Sequence, residues 1–544
     1  MADRTYDVGI IGGGHNGLTC AAYLAKAGLS VVVLEKNAVV GGAAVTEEFY
    51  PGFRNSVAAY TVSLLSPKVV SDLDLERHGL RIVERPAANF WPVDERRYLL
   101  MPYGLANRQR AIAPFSAKDA ERLPAHDAAL GRAADALRDL APRTPPNAGD
   151  GIVEVLRGAE LGRRLLRLTL EDQRLLADLF AKSAAHYLSQ WFESEVVKGA
   201  FAFDGIVGAY ASPFTPGTAY VLLHHCFGEV NGKQGVWGHA MGGMGAITQA
   251  MAKCAREYGA EIRCDAEVAR VRTDGDRATG LVLGSGEAIR TRAVAANVPP
   301  KLLFRDLVPE TAVGPTLRAC FLNMRTGSAT FRMNVALSEL PSFRCRPGTD
   351  QREHHASGII IGPSMDYLDR AYLDARLSGW SQRPVIEMVI PSTLDDSLAP
   401  RGRHVASLFV QHAAPHLPGH RSWRDAQEKE AFADLVIDTV SDYAPNFKAS
   451  IIARQALSPL DLERRFGLVD GDIFHGQLCL DQLFSLRPVL GYANYRMPVR
   501  GLYLCGSGAH PGGGVTGLPG HNAAREIIKD FARLRWRLGK WKTS

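Results

Sequence analysis

Residues 6–42 read YDVGIIGGGHNGLTCAAYLAKAGLSVVVLEKNAVVGG, and the order of features in this stretch decides the fold. Val8 to Ile11 is a short apolar run of the kind that forms a buried parallel strand. Gly12-Gly13-Gly14-His15-Asn16-Gly17 follows at once and satisfies G-x-G-x-x-G. An apolar helix is expected from about Leu18 to Ala27, stopped by Gly28. A second strand, Ser30 to Leu34, runs into Glu35, which stands about 20 residues past the glycines, where a dinucleotide site needs an acceptor for a ribose hydroxyl.

Each part has a physical task. Gly12 permits the tight turn out of the strand, Gly14 lets backbone approach a pyrophosphate, and Gly17 lets helix and strand pack closely. The helix N-terminus offers free N–H groups and partial positive charge to the phosphates. Glu35 accepts hydrogen bonds from a ribose and repels a 2′-phosphate, which disfavours NADP. A second glycine-rich stretch, GLYLCGSGAHPGGGVTGLPGHNAA from Gly501 to Ala524, repeats this physics. Leu502 to Cys505 reads as a buried strand, seven glycines lie from Gly506 to Gly520, and a helix is expected from near Thr516. Such a site suits the flavin edge that becomes anionic on reduction.

The chain has 544 residues, enough for a large core in two connected domains, and its net charge of +6 is mild for that size. No motif calls for nucleic acid. The nearest of the eight cysteines, Cys254 and Cys264, are ten positions apart. There is therefore no C-x-x-C and no redox pair, and a reducing compartment is expected. The short N-terminus lacks the pattern of a signal or transit peptide, and no run approaches a membrane span, so a cytoplasmic location is expected. The adjacent pairs His224-His225 and His354-His355 lack a third ligand at useful spacing, so no metal site is expected.

Between the glycine-rich ends, Gly41-Gly42 suits close backbone passage past a cofactor. Helical patterning runs from Ser116 to Leu140 and again from Ile152 to Gly199, around a proline-rich loop at Pro142 to Gly151. Arg157 to Arg174 is basic and amphipathic and reads as a solvated face, with a membrane-facing or substrate-entry helix as the rival. Gly242 to Gly245 opens a helix from Ala246 to Tyr258, followed by strands near Glu261, Ala266–Arg272 and Ala278–Leu283. Phe331–Leu337, Pro384–Pro391 and His404–His412 look antiparallel, the floor of a substrate pocket, and a helix is expected from Trp423 to Tyr443. The tail FARLRWRLGKWKTS from Phe531 carries Arg533, Arg535, Arg537, Lys540 and Lys542 beside Trp536 and Trp541, a pattern that admits peripheral contact with an anionic membrane.

The N-terminal motif with Glu35, the Gly41-Gly42 pair, the Gly242-Gly243 segment and the C-terminal GLYLCGSGAHPGGGVTG together resemble the phytoene-desaturase-like FAD oxidoreductases of the flavin amine oxidase superfamily. Gly471 to Gly476, His510 to Gly514, Ser212-Pro213 with Pro216 to Tyr220, and Trp237-Gly238 resemble its branch of pyridine nucleotide-disulfide oxidoreductase domain-containing protein 2. The resemblance implies an α/β fold: a Rossmann-like, GR2-type FAD-binding domain built from discontinuous segments (1–65, 231–300 and 456–544), plus an α+β substrate domain (66–230 and 301–455) with a mostly antiparallel sheet and a helical excursion. It implies non-covalent FAD contacted by Gly12, Gly13, Gly14, His15, Asn16, Gly17, Glu35, Lys36, Gly41, Gly42, Ala43, Ala44, Val268, Gly506, Ser507, Gly513, Gly514, Val515 and Thr516. Carotenoid desaturases usually carry an Arg after the glycine pair, where this chain has Ala43 and Ala44.

The resemblance implies an FAD-dependent oxidoreductase that desaturates or saturates a small apolar, polyene- or isoprenoid-like substrate. Amine oxidation and redox-neutral polyene isomerisation are the rival chemistries. A flavoprotein serving as an assembly partner is the rival of another class, and a homo-oligomer is admitted. Histidine titrates near neutrality, so His510, His475 and His239 are the candidate acid–base residues, with His521 behind them. Tyr492 and Tyr495 are candidate pocket residues.

Overall fold

The computed structural model describes residues 5–541, with side chains as far as Arg533, so the tail side chains from Arg535 onward lie outside the described residues. A first sheet has the strand order Glu261–Arg263, Val31–Leu34, Thr5–Ile11, Ala288–Ala296, Arg277–Leu283, Val268–Asp274. Leu502–Leu504 adds in parallel to the end of Ala288–Ala296. Its central strands are parallel and buried on both faces, which is why they read as continuous Val/Ile/Leu runs. Segments from the start, the middle and the end of the chain thus share one sheet.

The first helix spans His15–Lys26, three residues earlier than expected, because the second half of the glycine motif is already helical. Its alanines and Gly17 keep that face low, and the last helix, Leu518–Trp541, crosses close against it. A Cβ placed on Gly520 would stand 2.1 Å from the carbonyl oxygen of Asn16. That last helix starts two residues after Thr516. Gly517 has φ +74°, and the Thr516 hydroxyl accepts the N–H of Leu518 at 3.1 Å.

A second sheet runs Ile451–Leu457, Thr330–Leu337, His404–Ala413, Trp380–Val389, Gly358–Ile361, Ala87–Pro92, Tyr98–Pro102, antiparallel except where Gly358–Ile361 meets Ala87–Pro92. One face is apolar. Phe331, Met333, Val335, Leu408, Val410, Ile386 and Met388 pack with Phe432, Val436 and Val440 of the helix Ala426–Tyr443. That helix begins after Trp423, whose indole instead anchors the core by donating to the Ala414 carbonyl at 2.7 Å.

The helical excursion is not one pattern from 152 to 199 but four helices, Ile152–Leu166, Leu170–Ala181, Ala184–Ser189 and Glu195–Asp204. The breaks fall at Thr169, Ser183 and Ser194, each of which caps the helix that follows by accepting an N–H from its first turn. Ile152–Leu166 buries no residue. No helix among the described residues is long and apolar enough to cross a membrane.

Arg487 ties the loop before it to the C-terminal glycine stretch. Fully buried, it donates from Nη2 to the carbonyls of Phe474 (2.7 Å), Gly476 (3.1 Å) and Ser507 (2.8 Å), and from Nη1 to Gln482 (3.1 Å). Removing the guanidinium leaves those oxygens buried without donors. Arg487→Met should therefore cost at least about 3 kcal/mol, read as a fall in the urea midpoint; an unchanged midpoint would contradict the assignment.

Candidate active site

The glycine turn is built by contacts between remote segments. Gly12 has φ +90°, and its carbonyl accepts from Asn297 Nδ2 at 3.3 Å. A Cβ on Gly17 would lie 2.2 Å from the Gly12 carbonyl oxygen and 2.9 Å from Asn297 Nδ2, so no side chain fits there. The Gly13 N–H donates to Glu35 Oε2 at 2.7 Å, and the Asn37 N–H to Glu35 Oε1 at 2.9 Å. Two backbone-type donors orient the carboxylate at the end of its strand while it still lines the cleft. The helix that follows has no side-chain cap and no acid in its first turn, so its positive end opens onto the cleft.

The helix Gly245–Glu257 shows the opposite arrangement. Thr46 Oγ1 accepts the N–H of Gly245 at 2.9 Å and Ser56 Oγ that of Met244 at 2.9 Å. A Cβ on Gly243 would meet Thr46 Oγ1 at 2.4 Å. That glycine pair makes room for the Thr46–Tyr50 and Phe53–Ser56 hairpin, and its helix end is already capped.

One cavity of ≈ 500 Å³ runs from the first glycine turn to the second sheet. Of the expected cofactor residues, Gly12, Gly14, His15, Glu35, Lys36, Gly42, Ala43, Val268, Ser507, Gly514 and Val515 line it. Asn16 donates to Ser507 Oγ at 3.1 Å, joining the two glycine-rich ends of the chain. Gly41 (φ +139°) donates to the Gly13 carbonyl at 2.9 Å, and Ala44 is fully buried behind it. Gly506 packs on Asn297, Gly513 on the Phe474 ring, and the Thr516 carbonyl accepts the Ser66 N–H. These last five stand outside the cavity lining, as do Gly13, Asn16 and Gly17, and support it. His15 Nε2 and Asn16 Oδ1 are buried without a partner. An open helix end, an oriented acid and unpartnered polar atoms beside them fit the pyrophosphate and ribose of FAD.

The candidate histidines are not brought together. His475 lines the cavity, but burial, with His15 and Arg487 nearby, takes it down to about 3. His510 lies outside that cavity, with its Nε2 3.2 Å from the Leu140 carbonyl, and burial takes it down to about 4. Both are neutral imidazoles at pH 7, without the near-neutral pKa on which their candidacy as acids or bases rested. His239 pairs with Asp395 at 3.0 Å and lines a separate small recess. His521 packs edge-on against Tyr23 on the first helix. Tyr495 is buried and donates to the His510 carbonyl at 2.8 Å, and Tyr492 packs on Phe321, so neither lines the cavity.

The deep end holds residues that the sequence reading did not single out. Arg332, Phe409 and Glu387 are direct cross-strand neighbours on three adjacent strands and point to the face opposite the apolar core. Tyr60 donates to Glu387 Oε2 and stacks under Arg332, whose guanidinium carbon lies 4.5 Å from the ring centroid. Arg85 reaches Glu387 at 3.9 Å. Asp204, at the end of its helix, faces the same space, and burial raises its carboxyl to about 7. The available signal was period-2 alternation: FRMNVAL, VIEMVI and SLFVQ place Arg, Asn, Glu and Gln among apolar neighbours in strands too buried to have a wet face.

Comparison with known proteins adds four findings. A family model described as flavin containing amine oxidoreductase matches residues 17–319. The chain is 42% identical to pyridine nucleotide-disulfide oxidoreductase domain-containing protein 2 of Rattus norvegicus, over 97% of this chain and 94% of that protein. It is 27% identical to a lycopene-forming phytoene desaturase of Paracoccus sp., over 64% of this chain and 66% of that one. Among solved structures, a redesigned triple mutant of putrescine oxidase superposes with a TM-score of 0.57 at 16% identity, covering 97% of this chain and 99% of that one, a likeness of fold. All eight cysteines are free.

Glu35→Ala should weaken FAD binding about 10- to 100-fold, the worth of hydrogen bonds to a charged acceptor, read as flavin retained after dialysis; full retention would remove Glu35 from the site. The carboxyl of Asp204 sits at about 7 in the folded chain, above the ~3.9 of an unfolded aspartate. The folded state therefore holds the extra proton between those values, and stability falls as pH rises from about 4 to 7. Asp204→Asn should raise the melting temperature over the parent at pH 8 and leave it unchanged at pH 4; an equal effect at both would refute the titration.

Proposed function

We propose that this chain, which belongs to the flavin-containing amine oxidoreductase family and is an FAD-dependent oxidoreductase, dehydrogenates a mostly apolar, isoprenoid-like substrate. The observation that carries the reading is the wall of the cavity beyond the glycine cleft. Leu64, Phe203, Val207, Trp237, Phe409, Ile473 and Phe474 surround it, a surface that recognises carbon skeletons by burial. The partial likeness to a phytoene desaturase supports the same substrate class.

Bound FAD supplies the two-electron acceptor that takes hydride from a substrate C–H bond. The chain's residues do the rest. The apolar wall aligns the carbon skeleton and excludes water. Asp204 is the cavity carboxyl whose protonation changes near neutrality, and it accepts the proton released from the adjacent carbon. His15 and His475, held neutral by burial, present polar atoms without adding charge.

The cavity carboxyls of Glu387 and Asp204 favour a second reading, oxidation of an amine. Arg332 and Arg85 oppose it. A cation about 5 Å from a guanidinium at an effective dielectric near 20 is repelled by about 3 kcal/mol.

The deciding experiment is anaerobic titration of the flavin-loaded protein with polyenes and with alkylamines, following the oxidised flavin band. Bleaching by a polyene or shorter isoprenoid is expected. Bleaching by amines alone, with hydrogen peroxide formed once air is admitted, would replace the reading with amine oxidation.

A further inference from the structure

The floor of the cavity is more charged than an apolar substrate requires. Arg332 is 1% exposed. Its Nη2 donates to Ser407 Oγ at 2.5 Å, while Nε and Nη1 have no partner. Its planar group rests on the Tyr60 ring and lies 5.8 Å from the Phe409 ring centroid. A guanidinium so held cannot turn elsewhere to satisfy its remaining donors. A buried donor without a partner is costly, and a buried charged one more so.

The surroundings are built to keep this charge. Glu387 is the nearest carboxylate in the row, but it is engaged by the Tyr60 hydroxyl and by Arg85. Gly358 clears the space for that group: a Cβ there would stand 2.3 Å from Asn89 Oδ1, 3.1 Å from Arg85 Nη1 and 3.1 Å from Glu387 Oε1. Burial raises the carboxyls of both Glu387 and Asp204. Burial takes Arg332 down only to about 10, so it remains a cation at pH 7.

We propose that Arg332 is a specificity-determining residue that binds a carboxylate on the substrate by a charge-assisted hydrogen bond from one of its free donors, Nε or Nη1. This deepens the dehydrogenase reading and rests on it: the substrate is an amphipathic isoprenoid-like acid, its chain along the aromatic wall and its carboxylate on the floor, rather than a hydrocarbon.

The test uses the flavin-loaded full chain and three probes with one carbon skeleton: farnesene, farnesol and farnesoic acid. Dissociation constants are read from the perturbation of flavin absorbance, which needs no turnover. Farnesoic acid should bind at least about 10-fold more tightly than farnesol or farnesene, the worth of one charged hydrogen-bonded contact. Arg332→Gln should bring that ratio to within about 3-fold, and Arg332→Lys, which keeps charge but not the planar donors, should lie between. Equal binding of the three probes by the parent overturns the proposal without recourse to any variant, and if farnesene also bleaches the flavin the dehydrogenase reading survives it. Loss of flavin from Arg332→Gln with the acid preference intact would place Arg332 on the cofactor and overturn the proposal too. No perturbation by any of the three probes would overturn both readings together.

Discussion

Backbone contact at the first glycine turn is the constraint on which the rest depends. Gly12, Gly14 and Gly17 come within van der Waals reach of Asn297, the residue that follows the strand Ala288–Ala296, and Gly506 packs on the same asparagine. Three segments therefore meet with only the Asn297 side chain between them. Because the turn is bare, the helix N-terminus stays open, and because the last strand and the last helix close over it, the opening is a cleft rather than a surface. A methyl group at Gly17 or Gly520 would collide with backbone, so the fold and the anion site have the same requirement.

The second sheet is organised by a different rule. Its strands are covered on both faces, but the two covers differ: one is a helix, the other is the cavity. Alternation along each strand sends Phe331, Met333 and Val335 to the helix and Arg332 and Asn334 to the cavity side. Polar side chains here are buried without being in a core. They can be kept only where hydrogen bonds within the row satisfy them, as Asn334 is by Asn55 and Gln455, or where a ligand does. Arg332 is the member of the row with donors left over.

The electrostatics follow from enclosure. Burial makes the cavity histidines neutral and brings a carboxyl, Asp204, to the neutral range, so the residue types usually assigned to acid–base roles exchange them. The glycine pairs show the same dependence on surroundings. Gly41-Gly42 passes beside the first turn, while Gly242-Gly243 makes way for a threonine and a serine that cap its helix.

What the sequence determined by itself is local and periodic: the strand, glycine turn, helix, strand and acid of the N-terminus, the glycine-rich C-terminal stretch, and the alternating strands of the floor. These follow from steric limits and repeat lengths acting over a few residues, and they sufficed for the fold class and for placing Glu35. Helix ends shifted wherever a Ser or Thr cap or a left-handed glycine intervened, as at Ser194 and Gly517. Only the tertiary structure decided that Asn297 belongs to the glycine turn, that Asn16 meets Ser507, that His510 turns away from the cavity, and that Arg332, Phe409, Glu387 and Tyr60 form one group. Each of these joins residues far apart in the chain, or depends on how deeply a group is enclosed, and neither distance in space nor loss of solvent is encoded in a residue's near neighbours.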